Sequence, residues 1–339
     1  MKKLALLLSA GIILVGLCGC KSKPNNENYF GGEGELKSKE NIIYDDNSIY
    51  INFGYSNVKK YNKNSNTLTI ACDDPACGHK AEDVNCKANM EYRLFNRKLV
   101  RIDNELVTKS DGTSYRQGYL YLCDENNKQV FKNDLPDGAD SEHAEPSIGV
   151  VYALGDDYLV LVKGAHFYLL DNDFNVKFTV ANFGPFTGGV FYVDGEIYYI
   201  DSLYRLMKLD SENGEGVSVN IGAKITEGFV VGNTLWFSDE KMALCSYDFK
   251  TGEIKEHAEN AVRLNSVGKY IEYMVYGAGD VCLYDTETNE AHTRNDIDIN
   301  EDELFFLDGN YYAYSNTKNT LTLYEDDLTT VIKTAALEA

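Results

Sequence analysis

Proline is scarce in this chain: 5 residues among 339, with 28 glycines. That excludes collagen-like and proline-rich architectures. Positive charge is also short. Lysine and arginine total 32 against 53 acidic residues, a net charge of −21. Such a surface does not neutralise a phosphate backbone, so nucleic acid is not an expected partner. The uncharged, mostly apolar stretch Leu4 to Leu17 has fourteen residues, short of the ~20 that a membrane-crossing helix needs. Extended helical periodicity is missing. So are the G-x-S-x-G, Walker A and H-E-x-x-H signatures, each of which places a specific nucleophile, phosphate cradle or zinc pair. The 44% of hydrophobic residues is too high for a disordered chain.

What is present begins with an address. Lys2 and Lys3 precede the apolar stretch, which ends in Leu17-Cys18-Gly19-Cys20. A short positive region, a short apolar core and a small residue at the cut read as a signal peptide. The last four residues look like a bacterial lipobox, with Leu at −3, Gly at −1 and the modified Cys at +1. The expected organisation is a lipoprotein signal peptide over 1–19, a lipidated Cys20 with a flexible tether over 20–40, and a globular part over 41–339. The alternative is an ordinary secreted protein with a coincidental cysteine. Removing Lys2 and Lys3 takes the net charge from −21 to −23. Anionic headgroups repel that charge, so acyl chains must supply the membrane hold, at roughly 0.8 kcal/mol per buried CH₂. The expected location is the extracytoplasmic face of the cell membrane.

The rest is rich in strand-forming residues, among them 25 tyrosines, and it repeats. A short strand ending in an acid or amide occurs as VKKYN (58–62), LYLCD (120–124), FYLLD (167–171), LMKLD (206–210), LCSYD (244–248), VCLYD (281–285) and LTLYE (321–325). An Asp there can accept a backbone N–H two residues on and close a turn. A second series places tight turns between apolar strands at Asp45-Asp46, Asp103-Asn104, Gly155-Asp156, Asp194-Gly195, Gly232-Asn233, Gly268-Lys269 and Asp308-Gly309. Two series in step give about four strands per unit of about 40 residues, the period of a propeller blade. The expected fold is all-β, a single β-propeller of seven blades of four antiparallel strands. Six or eight blades follow if the end units share one. A β-sandwich with a second β domain is the competing architecture.

One interval between units is longer than the rest and holds Cys72-Asp-Asp-Pro-Ala-Cys77-Gly-His79, continuing to Cys86. We read an insertion at 72–88 on a blade rim. Three thiolates and an imidazole match a tetrahedral structural zinc in type and number; a disulfide between two of the three cysteines suits an exported protein, and free thiols are a third reading. With the lipobox, the polar tether and the Tyr-rich units, the C-x-D-P-x-C-x-H…C segment resembles a group of uncharacterised surface lipoproteins of clostridial-type bacteria. Their propeller is similar to the low-density-lipoprotein-receptor-related and TolB-like types. The resemblance implies a lipid-anchored propeller and no particular activity.

Other residues carry less. Cys123, Cys245 and Cys282 fall on one strand face in three units and read as small buried hydrophobes. His143, His166, His257 and His292 are scattered. The run from Asp296 to Glu303 fails as a calcium loop, with Glu301 in the glycine place and Leu307 in the bidentate-Glu place. Asp134, Asp137, Asp140 and Glu142 form another acidic loop. Trp236, Tyr198, Tyr199, Tyr311 and Tyr312 are expected to pack between blades rather than line a ligand surface. The functional expectation is a binding or assembly module for an extracellular protein or glycan, held to the membrane through Cys20. The alternative is an extracellular hydrolase or lyase acting on polysaccharide or peptide with carboxylates in the central channel.

Overall fold

Each repeated unit folds into its own antiparallel sheet. The computed structural model describes residues 28–30, 35–39, 42–52, 57–72, 77–79, 86–123, 128–133, 151–163, 165–184, 189–298 and 301–338. Seven sheets follow one another: blade 1 (Lys37–Ile70), blade 2 (Glu91–Lys132), blade 3 (Val151–Val180), blade 4 (Val190–Ser218), blade 5 (Ile225–Ala258), blade 6 (Ala261–Arg294) and blade 7 (Asp302–Ala336). Every sheet is a meander of four strands, here A to D, and blade 1 carries one more, Lys37–Lys39, ahead of its strand A. The first strands of successive blades adjoin one another, so strand A is innermost. This is a seven-bladed β-propeller, as the two turn series imply. Among the described residues no helix is long and apolar enough to cross a membrane.

The strands are apolar on both faces because both faces are covered. In blade 5, Leu235 and Phe237 point to blade 4 while Trp236 between them points to blade 6. Seven hydrophobic clusters fill the seven gaps between blades, including that between blades 7 and 1, where Tyr61 and Leu68 meet Tyr314, Leu321 and Ala335. The ring is therefore closed, and no blade is shared between the two ends. The chain end seals it. Leu68 and Leu337 form a parallel bridge, and the Glu338 N–H donates to the Leu68 carbonyl at 2.9 Å.

The Asp series performs the expected turn chemistry at the C–D corners. Asp248 Oδ1 accepts the N–H groups of Lys250 and Thr251, and Asp285 Oδ1 those of Glu287 and Thr288. Asn62 does the same in blade 1. In blade 7 the duty moves from Glu325 to Asp327, which accepts from Thr329 and Thr330. Those four bonds, two of them from the threonine hydroxyls, hold its carboxyl well below the ordinary range.

One turn expectation is overturned. Asp103-Asn104 is no turn; both residues lie inside strand B of blade 2, Lys98–Thr108, paired with Tyr119 and Gly118. The A–B turn is at Asn96-Arg97, both with positive φ (44° and 60°), the geometry a tight two-residue hairpin requires. Strands B and C of this blade (Lys98–Thr108 and Ser114–Leu122) outrun their counterparts and project as a hairpin turning at 109–113. The surplus of the long first interval is thus divided between this hairpin and the connection over 71–90.

Part of the stretch read as a tether belongs to the propeller. Phe30 is buried between blades 1 and 2, stacked on Tyr50 at 4.6 Å and edge-on to Tyr92 at 5.1 Å. Lys37–Lys39 is a strand. Cys20 and the segment over 1–27 lie outside the described residues.

Candidate metal centre

Strand D of blade 1 ends at Ile70 and strand A of blade 2 begins at Glu91. The described residues of the connection between them, 71–72, 77–79 and 86–90, lie on the side of the ring that carries the B–C turns. Cys72 leaves strand D directly, and the Cys72 N–H donates to the Ile70 carbonyl at 2.8 Å. His79 sits at φ 50°. Its carbonyl accepts Asn57 Nδ2 at 3.0 Å, which ties it to the start of strand C. Cys86 is buried at the N-terminal end of a short 3-10 helix, Lys87–Asn89. That helix is pinned on two sides. The Val58 N–H donates to the Ala88 carbonyl at 2.7 Å, and Tyr92 Oη donates to the Lys87 carbonyl at 2.8 Å.

These anchors bring four ligand atoms together. One atom each from Cys72, Cys77, His79 and Cys86 lies within 4.8 Å of every other, and Cys86 Sγ is 3.6 Å from His79 Nδ1. A tetrahedron with metal–sulfur bonds of ~2.3 Å has S···S edges of about 3.8 Å. The cluster is therefore close to the size that a zinc-type ion spans, and it is the one such group of His, Cys, Asp and Glu found among the described residues. No disulfide joins any of the six described cysteines. Burial and the neighbouring Cys77 and Cys72 sulfurs push the Cys86 thiol up to about 12. Three sulfurs this close cannot all ionise in one half-buried pocket without a cation between them. A divalent cation would reverse that preference.

The remaining cysteines behave as small apolar side chains. Cys245 and Cys282 are buried and each faces the preceding blade. Cys123 also faces its preceding blade but is only half-buried. Trp236, Tyr199, Tyr311 and Tyr312 are core residues of the inter-blade clusters, and Tyr198 packs against one. Asp296 is engaged by Arg294 through two 2.8 Å bonds. The acidic loop at 134–142, with His143, lies outside the described residues.

Two arrangements are invisible to sequence reading. His257 is not solitary. Its Nδ1 meets Tyr284 Oη and its Nε2 meets Ser246 Oγ, both at 2.8 Å, while Tyr284 donates to Asn289 Oδ1 at 2.9 Å. That order makes Nδ1 the donor and Nε2 the acceptor for the serine proton. The dyad is structural in place: Ser246 is buried, Trp236 covers the imidazole at 4.7 Å, and the chain joins blade 5 to blade 6. The second is Glu272, on strand B of blade 6. It is 2% exposed; Oε2 accepts Asn265 Nδ2 at 3.0 Å, and Oε1 has no hydrogen-bond partner. Burial pushes its carboxyl up to about 7. Both depend on residues from neighbouring strands and blades, which no local motif encodes.

No family model matches the chain, and no curated protein sequence matches it. Solved structures do. BamB from Moraxella catarrhalis superimposes with a TM-score of 0.51 at 11% identity, over 87% of this chain and 84% of BamB. Hsv2p from Kluyveromyces lactis gives 0.52 at 11%, over 89% and 99%. The dihydro-heme d1 dehydrogenase NirN, in complex with DHE, gives 0.52 at 12%, over 89% and 66%. Likeness at these identities is one of fold, and it agrees with the propeller described above.

Proposed function

We propose that this chain is a lipid-anchored, extracytoplasmic propeller that acts as a binding or assembly module, with a structural zinc at Cys72, Cys77, His79 and Cys86. The observation that carries the zinc is the gathering of three thiols and one imidazole within 4.8 Å. These ligands join the end of blade 1, the Asn57 segment and the helix before blade 2, so the ion would fix the connection between the two blades. Four protein ligands leave no open coordination position, so this metal is for structure rather than for catalysis. The lipobox at Leu17 to Cys20 supports the anchor. A rigid ring with turns of unequal length supports the module reading, since loops on a rigid scaffold are where binding residues concentrate. The −23 charge favours neutral or basic partners, a protein or a glycan. The clostridial-type surface lipoproteins remain the family we assign it to on the Cys/His segment.

The zinc reading is tested by native mass spectrometry of residues 21–339. An excess of one zinc, lost on denaturation and absent in Cys77→Ser, is expected. No excess, or a mass two hydrogens light, gives the site to free thiols or a disulfide instead. The module reading is tested by immobilising the same domain over envelope extracts and a glycan panel. Capture of a defined partner that is lost when the hairpin turn 109–113 is replaced is expected. Capture of nothing removes the module reading, and turnover of a panel glycan replaces it with the hydrolase or lyase.

A further inference from the structure

We infer that the hairpin arm of blade 2 is a self-association surface, on which strand B pairs antiparallel, over Asn104–Thr108, with the same strand of a second copy of this chain. The contact is independent of the metal, the anchor and the extracellular partner proposed above. Hydrogen-bond parity defines the open edge. Strand B runs over Lys98–Thr108, and its ladder to strand A stops at Ile102, opposite Glu91. The Cys123 N–H donates to the Leu99 carbonyl and the Lys109 N–H to the Thr113 carbonyl. Those bonds turn the odd-numbered residues of strand B toward strand C. The backbone groups of Asn104, Leu106 and Thr108 therefore face the other edge, beyond the end of strand A. The Asp103 carboxylate takes the Asn104 N–H. Among the described residues nothing takes the N–H or the carbonyl of Leu106 or of Thr108. An open edge recruits another strand unless it is blunted. Outer strands of this ring are blunted: the C–D ladders of blades 2, 3, 5 and 7 carry register shifts, strand D of blade 4 has three residues, and that of blade 1 is met by Leu337. The arm is not. The segment 103–108 contains no lysine or proline, its ladder to strand C has no bulge, and Leu106 is 71% exposed.

Charge selects the occupant. The chain carries a net charge of −21, yet residues 101–116 balance Arg101, Lys109 and Arg116 against Asp103, Glu105 and Asp111. The rungs beyond strand A, Asp103 to Thr108, extend about 20 Å, more than two screening lengths of ~8 Å. Two neutral arms meet while the acidic bodies stay screened from each other. The strand is also complementary to itself. Side chains at odd positions share one face, with Asp103 and Glu105 at its start and Lys109 at its end. Lys109 Nζ lies 5.2 Å from the ring of Tyr115, which pairs with Val107 on that face. A two-fold axis through Leu106 sets Leu106 against its own copy, Asn104 against Thr108 and Asp103 against Lys109. The Leu106 N–H groups then reach each other's carbonyl, each Thr108 N–H reaches an Asn104 carbonyl, and both ion pairs form. Moving the axis one residue either way sets Glu105 against its own copy or Asp103 against Asp111, and like charges directly opposite are unfavourable. The sequence of the edge thus fixes one register.

Sedimentation equilibrium of the full chain, in excess detergent matched to the solvent density, reads the assembly. A reversible monomer–dimer equilibrium is expected. Leu106→Pro removes only the outward N–H, and proline is tolerated at a strand edge. This variant should match the parent by far-ultraviolet dichroism and sediment as a monomer. Lys109→Glu and Asp103→Lys should each weaken the dimer about tenfold or more, since each turns both attractive pairs repulsive. Mixed in equal amounts, these two variants should form a heterodimer as tight as the parent dimer, because Asp103 of one copy again meets Lys109 of the other and the two introduced charges meet each other. A parent chain that stays monomeric at every concentration overturns the proposal, as does a dimer that Leu106→Pro leaves intact. If the proline variant does not fold, the mixing experiment decides alone, and failure to recover the dimer on mixing overturns the proposal.

Discussion

The seam between blades 7 and 1 is where a propeller opens, and Leu68→Ala probes it. Leu68 is fully buried in strand D of blade 1, packed among side chains of blade 7. Its carbonyl also holds the Glu338 N–H, and Asn66 beside it donates to the Thr334 carbonyl at 3.3 Å. Truncating a fully buried leucine costs about 2–5 kcal/mol, the upper part where the site cannot collapse. Neighbours on two separate sheets restrict collapse, so a value in the middle of that range or above is expected. Leu159→Ala, equally buried between blades 2 and 3, serves as the reference inside continuous chain. Removing 337–339 deletes the Leu337 to Asn319 and Glu338 to Leu68 backbone bonds, about 1–3 kcal/mol for the pair. Equilibrium urea unfolding, followed by tyrosine fluorescence and far-ultraviolet dichroism, reads all three. A closed ring gives Leu68→Ala and Leu159→Ala similar losses and one transition by both probes. A loss below ~1 kcal/mol for Leu68→Ala, with Leu159→Ala at full cost, would show that the seam bears no load and refute the closure argument.

Three further outcomes follow from particular side chains. Burial, with Lys255 nearby, lowers the His257 pKa below its ordinary 6.5, so the fold prefers the neutral ring. Its contribution is complete above pH 6.5 and is lost as the pH falls below that value, so the melting temperature should drop between pH 7 and 5, and drop less in His257→Gln. Glu272 has the opposite sign. Its folded value of about 7 exceeds the ordinary 4.5, with Asn265, Glu303, Arg294 and Asp302 around it. Stability is therefore complete below pH 4.5 and lost as the pH rises through about 7, by up to about 3 kcal/mol. Glu272→Gln should be the more stable protein at pH 8, the gap closing by pH 4.5; a gap independent of pH would contradict the buried-acid assignment. Finally, a Cβ at Gly216 would lie 1.9 Å from Tyr199 Oη and 3.2 Å from Met207 Cε. Tyr199 is buried, so Gly216→Ala should cost about 1–3 kcal/mol by overpacking, visible as a lower urea midpoint.

The blade count was legible because it is a local property repeated in sequence. Most units announce themselves by an apolar strand, a turn with a left-handed residue and an Asp or Asn that closes the C–D corner through its own side chain, as Asn62, Asp171, Asp210, Asp248 and Asp285 do. Those interactions span two to four residues, so composition and spacing suffice to find them. Where the signal failed, it failed for a local reason. Asp103-Asn104 has turn composition, but the flanking strands of blade 2 pair through it for nine successive rungs. The cooperative ladder overrode a weak preference. The Cys/His centre stood between. Its residue types and spacing suggested ligands, but a C-x4-C-x-H-x6-C pattern does not say whether the atoms meet.

What the sequence by itself determined was periodicity: an all-β chain of seven four-stranded units, an insertion rich in thiols, and an acidic, cation-poor surface. Tertiary structure decided everything that depends on which units touch. It placed Phe30 between two blades rather than in a free tether, and it joined Ser246, His257 and Tyr284 across a blade boundary. It left Glu272 with an unpartnered oxygen between sheets and drew Cys72, Cys77, His79 and Cys86 within one ion's reach. The physical reason is range. Turns and strands are fixed by neighbours a few residues away, whereas burial, pKa and coordination are fixed by residues that only ring closure makes neighbours.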